Sequence, residues 1–212
     1  MTDEPVTPVQ LSPPQDSGPQ GSGAVLSFIL CIGVGASLLA APGAEGLLGA
    51  LLAALMLAIT ATDARTYRIP NVFTATAFAL ALLRAWAVGP DAGLEALLWT
   101  ALRALVVALP LLALMMLYRR WRGRDGLGLG DVKLAGVAGA WLDLTTVAVA
   151  IELAALAAIA AYALNAALRR RPLSATAFLP FGLFLAPAIW LGWLGEVLAA
   201  NGLASRLALW PA

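Results

Sequence analysis

Two carboxylates have the type and setting to do chemistry together. Asp63 closes one apolar stretch, with Arg65 and Arg68 just beyond it, and Asp131 opens another, after the run Gly126-Leu127-Gly128-Leu129-Gly130. Two carboxyl groups a few Å apart cannot both ionise easily, so they share a proton. One then activates a water as a base, and the other protonates the oxygen under attack. Such a pair titrates as a unit. It can hydrolyse a peptide without metal, thiolate or imidazole, which matters because the 212-residue chain has no His and only one Cys, Cys31. Ser-His-Asp and Cys-His arrangements, His-based zinc sites, Cys-based metal sites and an intrachain disulfide are thereby excluded. The glycine run is not a phosphate loop, since the Gly-Lys-Ser/Thr ending is missing. A plainer reading stands beside the catalytic one: an Asp near Arg at a membrane border is also an ordinary solvated or paired boundary charge.

The elements that would carry these acids are apolar throughout. The composition is 61% hydrophobic and 12% charged, and mean hydropathy is +0.88. A soluble domain carries roughly 25% charged residues, so a soluble globular protein is excluded. Residues 1–23 are rich in Pro, Gln, Ser and Gly and read as a disordered cytoplasmic tail. Apolar stretches follow at 24–41, 46–62, 72–88, 94–118, 130–142, 144–168 and 174–200, and predict an all-α polytopic membrane protein of about seven transmembrane helices. Residues 201–212 form a short carboxyl-terminal tail. Pro110, Pro180 and Pro187 fall inside predicted spans, where neighbouring helices can satisfy the freed carbonyls. Gly136, Gly139 and Ala140 would let the fifth span approach its neighbours closely.

Arginines orient the chain. Arg65 and Arg68, then Arg119, Arg120, Arg122 and Arg124, then Arg169, Arg170 and Arg171 occupy alternate loops, while the loops near Glu45, Asp91 and Asp143 have no Lys or Arg. The positive-inside rule makes the basic loops and the amino terminus cytoplasmic and the carboxyl terminus external, with Arg206 a mild exception. Asp63 and Asp131 then share one depth, at the cytoplasmic border, where an ionisable group is a functional candidate by default.

The flanks of the two acids sharpen this. Asp63 is followed by Ile69-Pro70-Asn71, where Asn71 is a suitable N-cap for the third span. Asp131 stands in Gly128-Leu129-Gly130-Asp131-Val132-Lys133, whose glycines leave room for another backbone. A third segment reads Pro180-Phe181-Gly182 followed by Leu183-Phe184-Leu185-Ala186. Together, and in this order, these segments resemble the prepilin peptidases, the type IV leader peptidases among the GxGD membrane aspartic proteases, over about residues 47–200.

The resemblance implies that Asp63 and Asp131 are the catalytic pair, that residues 46–200 form a membrane aspartic protease domain and that the activity needs no metal or cofactor. It implies pilin-like precursor proteins as substrates, cut where a short basic leader meets an apolar helix, and a bacterial inner membrane location. Gly128, Gly130, Lys133, Arg68, Pro70, Asn71, Pro180, Phe181 and Gly182 become supporting or substrate-binding candidates. Larger family members carry cysteine pairs in an amino-terminal segment associated with methyl transfer. This chain has only Cys31, so it looks like the short form and methyl transfer is not carried over. The 24–41 stretch has no place in the six-span core of small members and looks like an extra helix.

Other charges have ordinary readings beside functional ones. Lys133 either influences Asp131 or snorkels to the border. Arg68 meets either substrate or anionic lipid. Arg84 can snorkel outward, and Arg103 and Glu152 are placed to pair between the fourth and sixth spans. The tryptophans, among them Trp86, Trp99, Trp141, Trp190 and Trp193, suit interface anchoring and packing. No nucleic-acid partner is expected, and oligomeric state is not encoded in any feature of the sequence. Two other function classes fit paired border carboxylates: a small ion-coupled transporter and a non-catalytic membrane subunit of a secretion machine.

Overall fold

The structure, a computed structural model, describes residues 20–88, 93–123, 127–170 and 180–208, the side chains at 20–22 and 203–208 excepted. The tail before Gln20, Asp91, Arg124, Asp125, Gly126, Arg171 and the start of the expected seventh span lie outside the described residues.

Among the described residues seven helices run in order: α1 (Gln20–Ala40), α2 (Ala44–Thr66), α3 (Asn71–Ala87), α4 (Leu94–Arg122), α5 (Leu129–Trp141), α6 (Leu144–Leu168) and α7 (Gly182–Ala208). The all-α expectation holds. Five of them, α1, α2, α4, α6 and α7, are long and apolar enough to cross a membrane by length and composition. The other two are shorter, α3 with 17 residues and α5 with 13. At 1.5 Å per residue, α5 is about 20 Å long against a hydrocarbon core of about 30 Å.

Local chemistry sets the ends. Glu45 in the first turn and Arg65 in the last turn of α2 complement its dipole. Gly123 ends α4 in the left-handed conformation at φ 65°, its amide donating to the Arg119 carbonyl. Pro110 and Pro187 lie inside α4 and α7. The sequence placed Pro180 inside the seventh span, but it lies outside any helix and precedes α7. Its ring cannot supply the amide that a helix interior requires. At the other boundary α7 continues to Ala208, past the expected end of the seventh span.

The short helix α5 sits at the centre. Val132 and every residue from Leu134 to Trp141 are buried, between α3, α4, α6 and α7. Its glycines permit this. A Cβ on Gly139 would lie 2.7 Å from the Arg103 carbonyl oxygen, and one on Gly136 would lie 3.3 Å from Ala108 Cβ, so α4 can rest directly on α5. α1 packs on α2 and touches α7, tied by the Trp190 indole donating to the Ser37 hydroxyl. The core gathers Leu52, Met56, Ile59, Leu134, Trp141, Ile189 and Trp193.

One end of the bundle is closed by charge pairs. Arg84 Nε donates to both Glu45 oxygens at 2.8 and 3.0 Å, and its guanidinium lies 5.7 Å from the Trp141 ring centroid. Trp193 also donates to Glu45. Arg84 is therefore paired rather than simply snorkelling, because Glu45 at the start of α2 and the end of α3 meet at the same level. Arg103 pairs with Asp143 at 3.1 Å, not with Glu152. Asp143 immediately precedes α6 and lies within reach of Arg103, whereas Glu152 lies more than two turns into α6 and is exposed.

Candidate functional site

The opposite end holds the two acids. Asp63 lies in the last turn of α2 and Asp131 in the first turn of α5. Antiparallel passage through the bundle brings those two termini to one level, together with the start of α7.

Asp131 is the third residue of its helix, whose N-cap is Gly128. From there its carboxylate reaches back to the Gly128 amide, as the acid of a capping box does. A Cβ on Gly128 would lie 3.0 Å from Asp131 Oδ2, so any larger residue there would press on that carboxylate. Asp63 is in the reverse situation, a carboxylate near a helix C-terminus, where the dipole opposes it. Its compensation comes from a distant segment. The Leu183 amide donates to Asp63 Oδ2 at 2.9 Å, and the Gly182 amide reaches both Asp63 and Asp131. These are the first two residues of α7, whose unpaired N–H groups form a natural anion cradle.

The two acids are near enough to repel each other electrostatically. Asp63 is 4% exposed and Asp131 is half-buried. Burial and mutual repulsion oppose double ionisation, while helix N-terminal amides favour the charged form.

Ile69 is the apolar strut between the segments. A Cβ on Gly182 would lie 2.7 Å from Ile69 Cδ1 and 2.9 Å from Asp63 Oδ2, and one on Gly130 would lie 3.1 Å from Ile69 Cβ. Gly128, Gly130 and Gly182 are thus all required by closeness to the acids or to the strut. None has positive φ, so the requirement is for space rather than for backbone freedom.

The remaining candidates are distributed around this centre. Pro70, not Asn71, is the N-cap of α3, and no side chain caps that helix. Asn71 instead accepts a hydrogen bond from Lys133 Nζ at 2.9 Å. That bond joins the Ile-Pro-Asn segment to the Gly-x-Gly-Asp segment, and Asn71 can serve it because it is already inside the helix with its side chain exposed. Arg68 is exposed in the turn before Ile69. Pro180 and Phe181 are half-buried at the entrance to α7, and the Phe181 carbonyl accepts the amides of Phe184 and Leu185. Phe181 also lines a largely apolar cavity of about 410 Å³ with Leu111, Leu114, Met115, Tyr118, Leu127, Asp131, Ala135 and Ile151.

Sequence reasoning missed three participants: the Leu183 amide, the Ile69 side chain as a strut, and the α4 wall of the cavity. Backbone donors carry no residue signature, and the α4 wall looks like any lipid-facing Leu and Met. Among the described residues no group of three or more His, Cys, Asp or Glu side chains comes together.

Comparison with known proteins fits this arrangement. A family model described as the type IV leader peptidase family matches residues 50–164. Two proteins of Burkholderia pseudomallei, from strains 1026b and K96243 and both named prepilin leader peptidase/N-methyltransferase, are each 36% identical over 163 residues. The match covers 73% of this chain and 48% of each relative, so the chain spans about half the length of these curated relatives. No solved structure matches the chain significantly.

Proposed function

The chain belongs to the type IV leader peptidase family, and from that membership we propose that it is a membrane aspartic endopeptidase that removes the basic leader from pilin-like precursors. Asp63 and Asp131 form the catalytic pair. The observation that carries this reading is the convergence of both carboxylates on the Gly182 amide at the start of α7.

The chemistry follows from the balance of charge. One carboxylate is ionised and takes a proton from a water held between the pair. The other is protonated and donates to the scissile carbonyl oxygen as the tetrahedral centre forms. The first acid then gives the proton it took from water to the leaving nitrogen, while the second regains its proton from the tetrahedral hydroxyl as the carbonyl reforms and the C–N bond breaks, so the pair ends with one ionised and one protonated carboxyl. Gly182 and Leu183 steady the negative charge on Asp63, and Gly128 does so on Asp131. The scissile segment has to be extended, because a helical backbone occupies its own carbonyls. The glycines at 128 and 130 leave space for such a strand.

The enzyme lies in the bacterial inner membrane with its amino terminus and the Asp63 and Asp131 loops on the cytoplasmic side. The arginines at that end, Arg65, Arg68, Arg119, Arg120 and Arg122 among them, support this orientation. The precursor's leader then stays in the cytoplasm while its apolar helix lies in the bilayer, and the junction meets the acids at the border.

The test is reconstitution with a pilin precursor and a size-shift assay. Wild-type protein cleaves, and Asp63→Asn and Asp131→Asn each abolish cleavage while eluting as folded protein. Full cleavage by either variant overturns the pairing. Ion uptake without proteolysis replaces the reading with a transporter.

A further inference from the structure

The acids are not equally reachable. Asp63 is 4% exposed, behind Gly182, Leu183 and Ile69. Among the described residues, Asp131 is the member of the pair that faces an open space, the cavity of about 410 Å³ between α4, α5 and α6. Ala135 lies one turn beyond Asp131 on the same face of α5 and forms the floor at 1% exposure, while Leu114 and Tyr118 at the α4 edge are 58% and 40% exposed. The cavity is therefore closed towards α5 and open at its sides. From Tyr118 to Leu111 it follows α4 for about two turns, roughly 10 Å, away from the acids' end of the bundle. α6 leaves this side open because it packs mainly on α7 and only lightly on α5.

We propose that the apolar helix of the precursor enters laterally from the bilayer between α4 and α6, and that its junction with the leader reaches the pair from the Asp131 side. This rests on the peptidase reading and adds a route to it. The occupant is set by the lining. Leu111, Leu114, Met115, Ile151 and Phe181 offer an apolar wall to a helix arriving from lipid, and the carboxyl group of Asp131 meets the first polar backbone behind it. A soluble basic peptide alone would find little to bind on this wall. The cavity beside α1, lined by Leu30, Gly33, Ala53 and Trp190, does not include either acid.

Photo-crosslinking tests the route without depending on turnover. A photoreactive phenylalanine analogue is placed at Leu114 in the full chain carrying Asp131→Asn, and in a second protein at Leu30 on α1. Both are reconstituted with the precursor and illuminated. The expected result is a precursor adduct from position 114 at least ten times that from position 30. Equal adducts, or more from position 30, overturn the route whether or not the wild type cleaves. A second measurement uses Cys31→Ser with cysteines at Leu111 and Ile151, bridged by a reducible bismaleimide. Bridging should lower precursor cleavage at least tenfold, and reduction should restore it. Undiminished cleavage by the bridged protein rejects lateral entry while leaving the peptidase reading intact.

Discussion

Gly182→Ala is the most searching perturbation of the proposed site. The new Cβ would lie 2.7 Å from Ile69 Cδ1, 2.9 Å from Asp63 Oδ2 and 3.2 Å from Asp63 Cγ. Carbon atoms in contact prefer about 3.5–4.0 Å, so the Ile69 contact falls short by roughly 1 Å. Ile69 can turn its terminal methyl aside. Asp63 has less freedom, because Leu183 holds the same Oδ2 at 2.9 Å. The carboxylate itself has to give by a few tenths of an ångström, and since a misplacement of about 1 Å costs on the order of 10²-fold, the expected loss is about 10-fold in rate, equivalent to about 1.4 kcal/mol of barrier. The backbone itself should not suffer, since Gly182 lacks positive φ and Ala is the better helix former. The assay is the initial rate of precursor cleavage in proteoliposomes, with circular dichroism and gel filtration as controls for folding. Gly182→Ala should cleave about 10-fold more slowly with unchanged fold. Adding Ile69→Val removes Cδ1 and relieves one contact only, so it should restore little. A Gly182→Ala rate within threefold of wild type refutes the reasoning. Full rescue by Ile69→Val would shift the cause from the carboxylate to the strut.

Three further outcomes follow from the same geometry. The rate of cleavage plotted against pH should be bell-shaped, falling in acid as the remaining carboxylate gains a proton and in base as the shared proton is lost; a monotonic profile argues against a shared proton. Lys133→Met and Asn71→Ala break the same bond between α5 and α3, so each should slow cleavage several-fold and the double variant should be no slower than either. Additive losses in that cycle would mean that the two residues act separately. Arg84→Met leaves the Glu45 carboxylate, 18% exposed, with the Trp193 indole as its remaining donor among the described residues. It should cost roughly 2 kcal/mol in detergent unfolding, between the values for exposed and buried pairs, and Glu45→Gln should recover part of that loss.

The fold class was legible because apolar length and arginine placement are local properties of the chain. Seven apolar stretches yielded seven helices, and Gly136 and Gly139 marked the close approach of α5 to α4. The acids were legible by their flanks, Ile69-Pro70-Asn71 and Gly128-Leu129-Gly130. Individual contacts were less so. Asn71 looked like a helix cap, yet it accepts from Lys133. Arg103 looked like a partner for Glu152, yet it pairs with Asp143. The first difference depends on where α3 begins, and the second on how α4 and α6 face each other, a rotation that leaves little trace in this sequence. In a soluble helix a polar stripe marks the outer face. In this chain lipid and core are both apolar, so α2, α4 and α6 are apolar on every side.

The sequence by itself determined that this is a helical membrane chain, that without His any catalysis must come from carboxylates, hydroxyls, Lys or Arg, and which acids stand near the ends of apolar stretches. Tertiary structure alone decided that the amides of Gly182 and Leu183 serve Asp63, that Ile69 separates the glycines, and that Asp131 rather than Asp63 faces the cavity. The reason is that composition and spacing act along the chain, whereas the start of α7 meets the end of α2 only after the four intervening helices have packed. A backbone N–H is chemically the same at every non-proline position, and only the fold selects the two that cradle a charge.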